Sequence, residues 1–253
     1  MEQKEDVSSR FWEFYALRYS VGAVLGGLIL FFLVQQNKPI SSLVFVKSGE
    51  PIDLIQVGIF LAAGLVFSYL ASAPILVLHA GRFLIQRSSV PARYPSKSMV
   101  LFLLISMIVS VSFFFLSSMG VALKIWFSIV IFLAVSIIVG QFFIIVKCQR
   151  NSVELFRFYR KLALKRSRAK GGIVDSYRHL REHGNAFGIV LFQVILALFL
   201  FAATTYASYS NSMRTQSTLE VSVTLVVVLM VWILPATLVW LVGCIIEQEF
   251  VDS

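Results

Sequence analysis

Charge is what this chain has least of. Only 14% of its 253 residues are Asp, Glu, Lys or Arg, against about 25% in soluble domains, and that shortage excludes an ordinary water-facing surface. Cysteine is almost missing. Cys148 and Cys244 alone cannot build a disulfide framework or a cysteine-rich metal site. No Gly-rich phosphate loop occurs, which removes the usual nucleotide cradle. The start, MEQKED, lacks the cationic region of a secretory signal peptide, so the first apolar segment is expected to stay in the mature protein.

What is abundant is hydrocarbon: 58% hydrophobic residues and a mean hydropathy of +0.85. A helix needs about 20 apolar residues, rising about 1.5 Å each, to cross a hydrocarbon layer about 30 Å thick. Six segments reach that length, roughly 16–35, 54–79, 99–117, 121–146, 186–208 and 221–246. These runs are twice the length of a barrel strand and do not alternate, so a transmembrane barrel is excluded. The fold class read from this is all-α. It is a polytopic integral membrane protein with six transmembrane helices in a single membrane domain over residues 1–253, and a basic cytosolic helical hairpin between helices 4 and 5.

Orientation follows from Lys and Arg in the connections. With both termini inside, the inner side holds Lys4, Arg10 and Arg18, then Arg82, Arg87, Arg93 and Lys97, then eleven more between Lys147 and His183. The outer side holds Lys38, Lys47, Lys124 and Arg214, a split of 18 to 4. The expected location is therefore the bacterial inner membrane, with both termini cytoplasmic. FWEFY at 11–15, followed by Tyr19, places aromatic rings where an interfacial belt belongs.

No span carries Asp, Glu, Lys or Arg near its centre; Asp53 and Glu247 stand at span ends. Buried charges mark proton relays and pumps because they are costly to hold there, so a proton-coupled pump is disfavoured. Ser106, Ser110, Gln141 and Gln193 are the candidates for lining a passive path. Small residues at four-residue spacing suggest helix contact faces instead: Gly22 and Gly26 with Gly27, Gly58 with Ala62, and Ser136 with Gly140. Such faces lead to the expectation of a homo-oligomer. Pro235 lies mid-span, where a kink is expected.

The connection 147–183 contains eleven cations against Glu154, Asp175 and Glu182. In SVELFRFYRKL, Leu155, Phe158, Tyr159 and Leu162 share a helical face, opposite Arg157, Arg160 and Lys161. Ser152 is the expected N-cap, and Gly171 with Gly172 the expected break before a second arm. RKLALKRSRAK, residues 160–170, then adds Lys165, Arg166, Arg168 and Lys170 all around the helix. Three readings compete: an orientation signal held by anionic headgroups, a dock for an acidic cytosolic protein, and a nucleic-acid contact. The last is disfavoured because aromatic interleaving stops at Tyr159.

One enzyme-like signal is present. HLREH at 179–183 fits the spacing of some zinc peptidases, with His179 and His183 one turn apart as candidate ligands and Glu182 as base. Glu247, Glu249 and His79 are candidate third ligands on the same side. No cofactor is expected otherwise.

At the level of layout alone, the chain resembles the membrane subunits of bacterial multi-component systems, including sensors and effectors of anti-phage defence. The expected function is a non-enzymatic membrane protein that docks a cytosolic partner through its basic hairpin. The alternative is a passive channel or facilitator, and the remote one a zinc-dependent membrane peptidase.

Overall fold

The computed structural model describes residues 20–36, 41, 53–86, 97–168, 171–210 and 218–251. FWEFY, Tyr19, Lys38, Lys47, Arg93, Lys170 and Arg214 lie outside the described residues, as do the side chains of Lys165, Arg166, Arg168, His179, His183 and Glu249. Among the described residues there is no strand. The helices are α1 (Ser20–Gln36), α2 (Leu54–Ala71), α3 (Ala73–Ala80), α4 (Arg82–Gln86), α5 (Lys97–Leu116), α6 (Val121–Arg150), α7 (Ser152–Arg168), α8 (Gly171–Ser210) and α9 (Thr218–Val251).

Four helical stretches are long and apolar enough to cross a membrane: Leu54–Leu84, Val121–Arg150, Ala186–Tyr206 and Leu219–Ile245. For the other two expected spans, the described residues give shorter apolar helical stretches, Ser20–Gln36 and Val100–Leu116, the second lying within the 20-residue helix α5. Within the four, only 22–28% of the most apolar stretch is buried. Phe187 is 76% exposed and Trp240 60%. So much bare apolar surface needs lipid or another chain against it.

Local chemistry explains several boundaries. Asp53 caps α2 in a reciprocal box: Gln56 N–H donates to Asp53 Oδ1 at 2.6 Å, and Asp53 N–H donates to Gln56 Oε1 at 3.2 Å. The carboxylate also faces the positive end of the helix, which accounts for an acid at the edge of an apolar run. The stretch Leu54–Leu84 is interrupted at Ser72, whose N–H donates to the Ser68 carbonyl at 3.1 Å and whose hydroxyl donates to the Tyr69 carbonyl at 2.8 Å. Pro74 follows in the first turn of α3, where its missing donor costs nothing. Pro235 lies inside α9, which is assigned as helix without interruption.

One expectation is corrected, and one element joins two expected ones. The second arm expected for the basic segment and the fifth apolar stretch form one 40-residue helix, α8, and Gly184 does not interrupt it. A single glycine costs a helix about 1 kcal/mol, too little to break one that continues on both sides. Ser152 is the first helical residue of α7 and not its cap. Asn151 takes that place, its carbonyl accepting from Leu155 N–H at 2.9 Å.

The described residues fall into two compact units, drawn from Met1–Ser72 with Ala186–Val228 and from Ala73–Asn185 with Leu229–Ser253. In the first, α1 and α2 cross antiparallel at backbone distance. A Cβ built on Gly22 would meet Ser68 Oγ at 2.6 Å, and one on Gly27 would meet the Phe60 carbonyl oxygen at 2.9 Å. Between these points Gly26 and Gly64 face each other so closely that a Cβ on either would overlap the other helix's backbone. Val34 and Phe60 continue the contact, with Phe31 edge-on to Phe60 at 5.6 Å. On α8, Phe201 meets Phe32 of α1 at 6.0 Å.

In the second unit, α5 and α6 pair along their lengths through the tight turn that ends at Gly120. Ser110 Oγ donates to the Ser128 carbonyl at 2.6 Å across this pair, and Phe113 and Phe127 pack at 5.8 Å. α3 lies on α6, with Val77, Ile145, Ala236 and Val239 forming the core. Gly81, between α3 and α4, admits Ile144 so closely that a Cβ there would stand 3.1 Å from its Cγ2.

Candidate functional site

The basic segment begins where α6 ends. Lys147 and Arg150 occupy the last turn of α6, where cations face unsatisfied carbonyls at the negative end of the helix. Asn151 closes the turn, donating from its backbone at 3.1 Å and from Nδ2 at 2.9 Å to the Lys147 carbonyl. α7 then starts, and its apolar side is held by the rest of the second unit. Leu155 is 2% exposed, packed with Phe83 of α4 and Cys148 of α6, and flanked by Phe158 and Tyr159. The Tyr159 hydroxyl donates to the His79 carbonyl at 3.0 Å, tying α7 to the end of α3. Arg157, Arg160 and Lys161 are exposed. The helix therefore presents charge outward while its other side is fixed to three helices.

Beneath α7 lies a half-open cavity of about 530 Å³, within the range of about 300–1,000 Å³ typical of ligand pockets. Its wall is mostly apolar, from Leu76, Ile145, Leu155, Val239 and Trp240. Its polar groups are His79, Tyr159, Glu247, Cys148 and Cys244. Both cysteines are free thiols. The sequence puts His79 and Glu247 on one side of the membrane, but not around a common cleft with the two cysteines. Residues from α3, α6, α7 and α9 meet there with no shared motif to announce it.

The candidate path-lining residues do not come together as a set. Ser106 Oγ donates to the Phe102 carbonyl of its own helix at 2.9 Å and Ser110 to α6, so both hydroxyls are occupied by backbone. Gln141 is 2% exposed and Gln193 fully buried, one in each unit. Neither amide has a hydrogen-bond partner among the described residues. A buried unpaired amide costs about 1–3 kcal/mol. Gln141→Met, which keeps the shape and removes the polar atoms, is therefore expected to stabilise the protein by about 1 kcal/mol. A rise in its detergent unfolding midpoint would show this; a fall would mean that water or a ligand completes the amide in the membrane.

Of the small residues marked for helix packing, Gly22, Gly26 and Gly27 lie at the α1–α2 crossing. Around Gly58 and Gly140 an added Cβ finds nothing within 4 Å, so neither makes a close approach within the described chain. Ala62 is exposed, and the Ser136 hydroxyl is buried without a partner among the described residues. The residue that sequence reasoning missed is Gly64. It stands four before Ser68, a small pair matching Gly22 and Gly26 in spacing.

His179, Glu182 and His183 fall on α8 at helical spacing. Among the described residues, no group of three or more His, Cys, Asp or Glu comes together as a metal site. No protein-family model, curated protein or solved structure matches this chain.

Proposed function

We propose that the chain is a non-enzymatic integral membrane protein that crosses the bacterial inner membrane six times, with both termini in the cytoplasm. It would act as a homo-oligomeric membrane subunit of a multi-component system such as anti-phage defence. Its basic segment receives an acidic cytosolic partner and passes that binding to the helix bundle. The observation that carries this reading is α7: three exposed cations ride on a helix whose opposite side is fixed by Leu155 and by the Tyr159–His79 hydrogen bond. A load on Arg157, Arg160 or Lys161 therefore reaches α3, α4 and α6 directly. The even count of spans rests on the four long apolar helices, the two shorter ones and the distribution of Lys and Arg.

Two measurements test it. A cysteine placed at Lys165 should resist a membrane-impermeant maleimide applied to intact cells, whereas one at Lys47 should react. Neutralising Arg160, Lys161, Lys165, Arg166, Arg168 and Lys170 with glutamine should weaken capture of the co-purifying cytosolic partner by at least about tenfold, since exposed charges contribute roughly 0.2–1 kcal/mol each. Membrane insertion should be unchanged. Unaltered capture removes the docking reading.

The alternative, a passive channel or facilitator, draws on the two unpartnered amides. It requires solute flux in liposomes that changes when Gln141 or Gln193 is replaced by Leu.

A further inference from the structure

We propose that Gln141 of α6 is a latch for α9: in a second packing of the two helices its amide donates to the Val231 carbonyl that Pro235 cannot serve. Proline has no N–H, so the carbonyl four residues before it loses its ordinary intrahelical donor. α9 nevertheless continues as helix through Pro235. The Val231 carbonyl points along the axis toward position 235, and Pro235 is fully buried, so that oxygen faces protein rather than lipid. Membrane helices keep such prolines where a neighbouring helix or side chain supplies a replacement donor. In this unit Gln141 offers one. It is 2% exposed, and neither of its amide atoms has a partner among the described residues.

Helical register puts the two groups in one layer. Ile145 and Cys148 of α6 line the cleft beneath α7, as do Leu238, Val239 and Val242 of α9. Ile145 and Val239 also share a core cluster with Ala236. Gln141 stands one turn before Ile145, and Pro235 one turn before Val239, each on the face that these residues use. The cleft takes the last turns of both helices, so one step back along either reaches the same depth. There the structure leaves a buried amide and a proline-freed carbonyl unjoined, and a short slide of α6 along α9 brings them together. Packed cores make such shifts between discrete arrangements. α6 ends at Arg150 and α7 starts at Ser152. On the docking reading above, which supplies only the trigger, a load on the α7 cations therefore pulls on α6 and biases the latch.

The test uses no partner, so failure of the latch and failure of docking stay distinct. The full-length protein, labelled with 5-fluorotryptophan, is placed in nanodiscs of phosphatidylcholine and phosphatidylglycerol, and its fluorine NMR spectrum is recorded. Trp232 is fully buried on α9, within one turn of Pro235, and its signal is the one lost in Trp232→Phe. The expected result is two Trp232 lines, one for each packing. Gln141→Met removes the donor, and Pro235→Ala returns an N–H to the Val231 carbonyl. Each should weaken the same line at least about fivefold relative to the other, the weight of one ordinary hydrogen bond. The double substitution should weaken it no further, because either change alone already dissolves the pair. If Pro235→Ala does not fold, Gln193→Met decides: it removes the other unpartnered amide and should leave both lines as they were. A single Trp232 line in the unmutated protein, lines unmoved by Gln141→Met or by a folded Pro235→Ala, additive losses in the double variant, or an equal response to Gln193→Met would each overturn the proposal.

Discussion

Gly64→Val is expected to destabilise the protein by about 3 kcal/mol, the upper end for overpacking, measured as the shift in its unfolding midpoint in detergent. The size follows from what the new side chain would strike. At Gly64 the obstruction is the backbone of Gly27 and the carbonyl of Ala23, which cannot turn aside as a flexible side chain can. Relief requires α1 and α2 to separate, and separation also loosens Val34 and Phe60, buried next to the crossing. In lipid no water-driven force pulls the helices back together; close packing and weak Cα–H···O contacts supply the attraction. Valine's helix propensity exceeds glycine's by a fraction of the roughly 1 kcal/mol that separates glycine from alanine, far too little to compensate. Gly58→Val is the matched control. It lies in the same helix with nothing within 4 Å, and should leave the midpoint unchanged or raise it slightly. Equal losses at both positions would show that the crossing is not a backbone contact.

The contrast between Gly58 and Gly64 also shows where sequence stops being informative. Long apolar runs can be read directly, because a chain of uncharged residues of spanning length has few alternatives to a helix. The rotation of such a helix cannot. In water an apolar stripe marks the packed face, but α2 is apolar on every side, so Gly58 with Ala62 and Gly64 with Ser68 offer equivalent small pairs. Only the approach of α1 distinguishes them. α7 is the opposite case. It has a polar side, and the pattern of Leu155, Phe158 and Tyr159 against Arg157, Arg160 and Lys161 can be read from spacing alone. The cleft was beyond reach for a third reason. His79, Cys148, Tyr159 and Cys244 are brought together by helices distant in sequence, and nothing in their local context distinguishes them from other residues at helix ends.

Leu155→Ala should produce the second large effect, confined at first to α7. Removing a fully buried leucine side chain costs about 2–5 kcal/mol, and Leu155, 2% exposed between Phe83 and Cys148, is the most deeply buried described residue of its helix. Its neighbours cannot make up the loss, since Val153 and Leu164 face outward at 62% and 51% exposure. The Tyr159–His79 hydrogen bond contributes about 1 kcal/mol, so Tyr159→Phe should have the smaller effect. The readout is trypsin cleavage after Arg157, Arg160 and Lys161, which requires α7 to open locally. A loss of 2 kcal/mol corresponds to about a thirtyfold rise in the open population. Cleavage of Leu155→Ala in nanodiscs should therefore accelerate by about that factor, with insertion unchanged. If cleavage is as slow in Leu155→Ala as in the unmutated protein, α7 is held by the membrane surface through its cations, and the mechanical link from the basic face to the bundle does not exist.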